Sequence, residues 1–205
     1  MNTVALSVFA AVVSFFVGAI PFGVLVSRAF YNTDIRRAGS GNIGAANALR
    51  TLGKRGAAAV LALDALKGFA PTLAALALGG PVPATLAAFA SVVGHCYSPF
   101  LGFKGGKGVA TYFGALFALW WPAGIAFALV WLAVVLACGF ASAGSMVASV
   151  AMGAVLWFGF IPSWVGLTYG VASALFIIYR HRENLDRLRR GTENRLSLLK
   201  ADRQS

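Results

Sequence analysis

The sequence predicts an all-α polytopic membrane protein with seven transmembrane helices. Of its 205 residues, 59% are hydrophobic and only 11% are charged, and apolar runs long enough to cross a bilayer recur along most of the chain. The charged residues collect in a few short segments between those runs. Composition, run length and charge distribution therefore indicate one membrane domain over residues 1–205.

Apolar runs bounded by charge, Gly or Pro define the individual spans. The seven runs cover about residues 4–27, 55–78, 82–98, 108–120, 123–139, 143–160 and 163–180. The fourth run has about 13 residues, or roughly 20 Å of helix, whereas the hydrocarbon core is roughly 30 Å thick. It must begin below the membrane surface or insert only partially, so an arrangement with five spans stays open.

The charge distribution predicts the orientation. No basic residue precedes the first run, whereas Arg28, Arg36 and Arg37 follow it, which indicates an uncleaved first span with the N-terminus outside. The outer turns at 79–83, 120–122 and 161–163 then hold no charge, and the C-terminus is cytoplasmic, as the positive-inside rule requires. The inner segments are 28–54, 99–107, 140–142 and 181–205.

The net charge of +11 suits anionic lipid headgroups and a phosphorylated substrate better than nucleic acid, because a nucleic-acid module would not carry so much lipid-compatible sequence. His95 and His181 lie far apart without the Cys or carboxylate neighbours of a metal site. Cys96 and Cys138 lie near inner ends of spans, where we expect free thiols. We expect no metal and no cofactor.

The segment 94–111 reads G-H-C-Y-S-P-F-L-G-F-K-G-G-K-G-V-A-T. Bare glycine backbone beside Lys104 and Lys107 suits the binding of a phosphate. It is not a P-loop, because the residue after Lys107 is glycine where a Mg²⁺-binding hydroxyl should stand. A flexible turn whose lysines touch lipid headgroups is the alternative. The glycines of the predicted phosphate loop are Gly105, Gly106 and Gly108.

The first inner segment, A-G-S-G-N-I-G-A-A-N-A-L-R at 38–50, contains G-x-G-x-x-G. A dinucleotide fold is rejected, because that fold needs βαβ units. The segment still offers hydroxyl, amide and guanidinium donors for an anion, and a solvated glycine turn is the alternative. The candidate binding residues here are Ser40, Asn42, Asn47 and Arg50.

The last polar cluster, Y-R-H-R-E-N-L-D-R-L at 179–188, follows the final span. On a continuing helix His181 and Asn184 share one face toward the other clusters, while Arg180, Arg187 and Glu183 spread toward headgroups. The alternative is a cap on the last span with an incidental histidine. Ser142 and Ser145, in the inner turn between the fifth and sixth spans, add two hydroxyls.

Asp64 and Lys67 are the charged residues predicted to lie inside a span, three positions apart on one helical face. Intramembrane charges are candidates for a functional site. A mutually paired, purely structural Asp–Lys is the alternative, and the sequence leaves the choice open.

Three segments, 39–50, 94–111 and 179–188, together with L-D-A-L-K-G at 63–68, closely resemble the signatures of the bacterial membrane acyl-phosphate:glycerol-3-phosphate acyltransferases (PlsY). The resemblance covers essentially the whole chain. Two departures are Ala46, where the family usually has threonine, and Tyr97-Ser98-Pro99, where it usually has Tyr-Pro.

The resemblance implies transfer of a fatty acyl group from acyl-phosphate to the sn-1 hydroxyl of glycerol-3-phosphate, the first step of phospholipid synthesis, at the cytoplasmic face of the bacterial inner membrane. It implies no direct role for acyl-carrier protein or coenzyme A. By motif position we assign His181, Lys107 and Asn184 to catalysis. The predicted substrate-binding residues are Ser40, Asn42, Asn47, Arg50, Lys104, Gly105, Gly106, Ser142 and Ser145.

The chemistry requires no acyl-enzyme, because acyl-phosphate is a mixed anhydride with a good leaving group and the protein mainly positions two anions. We expect a phosphate oxygen of the donor to take the hydroxyl proton and His181 to orient the substrate, with His181 as general base the alternative. A transporter for phosphorylated anions and a non-enzymatic lipid anchor are the rival functions.

Overall fold

The computed structural model describes residues 2–160 and 162–196, which form α-helices and two 3-10 turns without any strand in these ranges. The α-helices are α1 (Thr3–Ala19), α2 (Phe22–Tyr31), α3 (Ala45–Thr51), α4 (Gly53–Gly79), α5 (Pro81–Cys96), α6 (Val109–Leu119), α7 (Trp121–Cys138), α8 (Ala141–Gly159), α9 (Ser163–Arg180) and α10 (Arg182–Arg189). The 3-10 turns span Ile35–Arg37 and Pro99–Leu101.

Every predicted span coincides with helix, and five segments within the described part of the chain are long and apolar enough to cross a membrane. They are Thr3–Tyr31, Gly53–Gly79, Pro81–Leu101, Trp121–Cys138 and Ala141–Gly159. Helix α6 has only 11 residues, as the short fourth run predicted, and α9 has 18 residues but is not one of those five. Large apolar side chains such as Phe9, Leu136 and Phe158 face outward, as lipid contact requires.

The first predicted span is not one straight helix. Pro21 lacks an amide hydrogen, and the helix divides there into α1 and α2. The break leaves backbone carbonyls at and just after the end of α1 without intrahelical partners. Two side chains satisfy them: Ser98 Oγ donates to the Ala19 carbonyl at 2.6 Å, and Lys67 Nζ donates to the Ile20 carbonyl at 2.7 Å.

Glycines allow the helices to approach closely. A Cβ on Gly114 of α6 would collide with the Ala65 carbonyl of α4, and a Cβ on Gly68 of α4 would collide with the Thr111 carbonyl of α6. Gly18 and Gly94 make the corresponding contacts between α1 and α5. Packing through small residues replaces the hydrophobic effect between helices in a bilayer, and here it holds α4 against α6 and α1 against α5.

The sequence also predicted the two thiols. Cys96 and Cys138 are free cysteines in the structure. Cys96 is buried at the end of α5, and Cys138 ends α7 with partial exposure.

We predict that Gly114→Ala lowers the free energy of unfolding by about 1–3 kcal/mol, because α4 and α6 must separate to admit the methyl group. Gly153→Ala is the matched control, since its Cβ would make ordinary contacts of 3.7 and 4.0 Å with Val171 and Leu167. Unfolding of both variants in detergent is the measurement. Equal stability of the two variants would contradict the packing argument.

Candidate active site

A cavity of about 640 Å³ brings together polar side chains from four parts of the chain that are distant in sequence, and residues of α4, α5, α6 and α7 complete its lining. These are the segment 40–50, the glycine loop (residues 102–108), the start of α8, and the region from Arg180 to Asn194. The predicted site residues on its wall are Ser40, Asn42, Asn47, Arg50, Gly105, Lys107, Ser142, Ser145, His181 and Asn184.

Two predicted residues do not line this cavity. Lys104, in the first half of the glycine loop, is exposed and lies outside the cavity lining. Gly106 is buried, and a Cβ there would collide with His95 Nε2. The structure therefore gives Gly106 a packing role.

The glycine loop is held against the end of α5 by its backbone. Gly105 N–H donates to the Cys96 carbonyl and Gly106 N–H donates to the His95 carbonyl, each at 3.1 Å. These two amides are therefore not available to a phosphate, contrary to the sequence-based expectation. The positive charge that the loop presents to the cavity comes from Lys107.

Asn47 organises the first polar segment from within. Its Oδ1 accepts from Ser40 N–H at 2.8 Å, and its Nδ2 donates to the carbonyls of Ile35, Ala38 and Asn42 at 3.1, 3.0 and 2.8 Å. The side chain is 1% exposed. Because its amide is already bonded to the backbone, we infer that Asn47 shapes the loop that carries Ser40 and does not bind the substrate directly.

Glu193, which the sequence analysis did not single out, lies at the centre of the polar side chains. Its Oε1 accepts from Ser142 Oγ at 2.8 Å and from Asn184 Nδ2 at 2.6 Å, and its Oε2 accepts from Arg187 Nε at 2.8 Å. The Asn184 Oδ1 in turn accepts from Lys107 Nζ. The available signal was an acidic residue two positions after Gly191 in a strongly basic tail. We call this group of side chains the polar basin: Ser40, Arg50, Lys107, Ser142, Ser145, His181, Asn184, Arg187 and Glu193.

The basin destabilises its own positive charges. Burial lowers the pKa of Lys107 to about 8, and the neighbouring Arg187 contributes in the same direction. Burial likewise lowers the pKa of Arg50, which Glu193 partly offsets. Burial opposes the charged form of Glu193, but hydrogen bonds from Asn184 and Arg187 outweigh it and lower its pKa. An added anion would therefore be stabilised here.

His181 lies between α9 and α10 and is 3% exposed. Its Nδ1 is 2.8 Å from the Ile177 carbonyl, so Nδ1 carries the hydrogen and Nε2 keeps a lone pair. Burial, reinforced by the charge of Lys107, lowers the pKa of His181 to about 4. A neutral imidazole with this pKa accepts a hydrogen bond from a hydroxyl but is a weak proton acceptor.

The arginines around His181 do not all face headgroups. Arg180 donates to the Gly106 carbonyl at 3.0 Å and stacks 4.8 Å from the Tyr97 ring centre, so it holds the glycine loop. Arg187 is bonded to Glu193. The prediction that these two side chains spread toward headgroups is wrong, because Gly106 and Tyr97 lie within reach of Arg180 and Glu193 lies within reach of Arg187.

One wall of the cavity is apolar. Phe113 of α6 and Phe127, Ala128, Trp131 and Leu132 of α7 line it. Trp131 Nε1 donates to Ser145 Oγ at 3.2 Å, where the apolar wall meets the basin. The cavity thus offers a polar end for anions and an adjoining surface for a hydrocarbon chain.

A cavity with a basic polar end and an apolar wall in a helical membrane protein suits an enzyme that joins a phosphorylated polar molecule to a lipid chain. A family model described as glycerol-3-phosphate acyltransferase matches residues 8–191. The chain belongs to this family, that of PlsY, and is a glycerol-3-phosphate acyltransferase of phospholipid synthesis.

Relatives and solved structures agree over nearly the full length. The chain is 43% identical over 194 residues to the glycerol-3-phosphate acyltransferase of Cereibacter sphaeroides, covering 95% of this chain and 91% of the relative. The chain is 43% identical over 193 residues to the glycerol-3-phosphate acyltransferase of Thermotoga petrophila, covering 92% of this chain and 96% of the relative.

Two crystal structures of PlsY (YgiH), an integral membrane glycerol 3-phosphate acyltransferase, share the fold. The glycerol 3-phosphate form has a TM-score of 0.89 at 38% identity, over 97% of this chain and 99% of that one. The lysphosphatidic acid form has a TM-score of 0.86 at 37% identity with the same coverage.

We predict that glycerol-3-phosphate binding at pH 8–9 is accompanied by uptake of up to one proton, because the free Lys107 ammonium with a pKa of about 8 is partly deprotonated there and the bound phosphate stabilises its charged form. The affinity should fall as the pH rises through this range. Isothermal titration calorimetry in buffers of different ionisation enthalpy measures the uptake.

Lys107→Arg is the matched variant, because a guanidinium stays protonated at these pH values. It should bind with little proton uptake. The same uptake in both proteins would exclude Lys107 as its source.

Proposed function

We propose that the protein transfers the acyl group of an acyl-phosphate to the sn-1 hydroxyl of glycerol-3-phosphate, giving lysophosphatidic acid and inorganic phosphate. The observation that carries the proposal is the polar basin adjoining an apolar wall within one cavity. The wall suits the acyl chain, and Arg50, Lys107 and Arg187 supply positive charge for phosphate. Further support comes from the PlsY crystal structures, which are a glycerol 3-phosphate form and a lysphosphatidic acid form.

The proposed reaction is substrate-assisted. The sn-1 hydroxyl oxygen attacks the acyl carbonyl carbon, the bond from that carbon to the phosphate oxygen breaks, and the hydroxyl proton passes to the departing phosphate. Positioning and charge neutralisation provide the rate enhancement. His181 Nε2 accepts the hydroxyl hydrogen bond and orients the nucleophile, and its pKa of about 4 argues against a role as principal base.

We further propose seven membrane crossings with the basin at the cytoplasmic face of the bacterial inner membrane. Helix α6, with 11 residues, crosses only part of the bilayer below the glycine loop. The basic residues of the basin and of the segments 28–55 and 180–195 lie on the inner side under this arrangement, in agreement with the positive-inside rule.

Purified protein in lipid nanodiscs tests the proposed reaction. With acyl-phosphate and labelled glycerol-3-phosphate it should form labelled lysophosphatidic acid and release one phosphate per product. The acyl thioesters of coenzyme A and of acyl-carrier protein should not replace acyl-phosphate as the donor. Product from those thioesters, or none from acyl-phosphate, would overturn the proposed donor.

We predict that His181→Gln raises the KM for glycerol-3-phosphate by about tenfold and lowers kcat by a smaller factor, because it removes an orienting hydrogen bond. Steady-state kinetics measure both constants. Arg189→Gln, which changes an exposed side chain, is the control and should match the unaltered enzyme. If His181→Gln abolished kcat at unchanged glycerol-3-phosphate affinity, His181 would be the general base.

A further inference from the structure

A second cluster of polar groups lies between α4 and α5, next to the glycine loop, and two of its members, Asp64 and His95, also reach the wall of the cavity. Lys67 Nζ is 2.7 Å from Asp64 Oδ1, and His95 Nδ1 is 3.6 Å from the same oxygen. The side chains of Asp64, Lys67 and His95 are only 1%, 2% and 3% exposed. Charges at such positions in membrane helices are rare and costly. An ion pair between two residues of α4 does not by itself explain why the cluster is there.

On one side the cluster reaches the break in the first span. Lys67 Nζ donates to the Ile20 carbonyl at 2.7 Å and lies 5.6 Å from the ring centre of Phe22, the first residue of α2. The next residue, Gly23, packs so closely on the Ile43 carbonyl that a Cβ would collide with it. A shift of Lys67 would therefore move α2 and, through it, the segment that carries Ser40 and Arg50.

On the other side the cluster reaches the glycine loop. The His95 ring faces Asp64 through Nδ1 and touches Gly106 through Nε2. The His95 carbonyl accepts from Gly106 N–H at 3.1 Å. A shift of the His95 ring would therefore move the backbone that immediately precedes Lys107.

We propose that Asp64 is a positioning residue for acyl transfer, because its carboxylate fixes the segment of Ser40 and Arg50 through Lys67 and the loop of Lys107 through His95. The two parts of the polar basin, Ser40 with Arg50 and Lys107, thereby keep a fixed separation. This inference rests on the proposed function for its kinetic consequence. Its structural consequence, a fixed glycine loop, is independent of any activity.

The kinetic test uses Asp64→Asn and the double variant Asp64→Asn/Lys67→Met in nanodiscs. The double variant leaves no unpaired buried charge, so it keeps the test possible if the single variant does not fold. It also lacks the contact with Ile20. Both should raise the KM for glycerol-3-phosphate about tenfold and change kcat less than about threefold. The matched control Asp186→Asn alters a carboxylate that is 59% exposed and should leave both constants unchanged.

The structural test uses the native thiols. Cys96 is 0% exposed, its carbonyl accepts from Gly105, and its Sγ faces Gly108. In the Asp64 variants a maleimide should label Cys96 about fivefold faster, because the loop opens locally, while the rate at Cys138 stays unchanged. Asp186→Asn should alter neither rate.

An unchanged KM for glycerol-3-phosphate in either folded Asp64 variant would overturn the proposal. Equally faster labelling of Cys96 and Cys138 would also overturn it, because it would indicate a general loosening of the protein. If the unaltered protein proves inactive with acyl-phosphate, the proposed function fails on its own. The calorimetric affinity for glycerol-3-phosphate and the rate of Cys96 labelling then decide whether Asp64 positions the loop. Weaker binding and faster labelling in the Asp64 variants would support the proposal, and unchanged values would oppose it.

Discussion

The contact of Lys107 with Asn184 is the interaction on which the site depends. It joins the glycine loop to α10, across 77 positions of sequence, and Asn184 extends it to Glu193 and Ser142. A buried ammonium tolerates such a position only with polar partners around it. The same burial that lowers the pKa of Lys107 to about 8 makes the site receptive to an added anion, so stability and substrate binding rest on one arrangement of charges.

The packing of the helices makes that arrangement possible within a membrane. Glycine contacts bring α4 against α6 and α1 against α5, which closes the space beneath the basin. Where the backbone is broken at Pro21, Ser98 and Lys67 satisfy the carbonyls of Ala19 and Ile20. Non-helical backbone within a membrane-spanning segment is tolerated only where protein groups of this kind satisfy its hydrogen bonds. The polar groups below the basin are therefore part of the scaffold that orients it.

The sequence predicted the helices well, because apolar runs bounded by charge, Gly and Pro mark them directly, and motif resemblance located most of the cavity wall. It failed where a role depends on long-range contacts. Nothing local distinguishes Asn47, an internal scaffold, from an amide that binds substrate. The place of Glu193 in the site depends on hydrogen bonds from Asn184 and Ser142, which lie 9 and 51 positions away in the sequence. The break at Pro21 was missed because the run remains apolar across it.

The central claim is that distant segments meet on one side of the membrane to bind the phosphate of glycerol-3-phosphate. Single cysteines at Ser40, Lys107 and His181, placed in a protein with Cys96 and Cys138 replaced, test it through a membrane-impermeant thiol reagent applied to oriented vesicles. All three cysteines should react from the cytoplasmic side, and saturating glycerol-3-phosphate should protect each one whose variant still binds it. Reaction of any two from opposite sides would contradict the account, since no single basin could then exist.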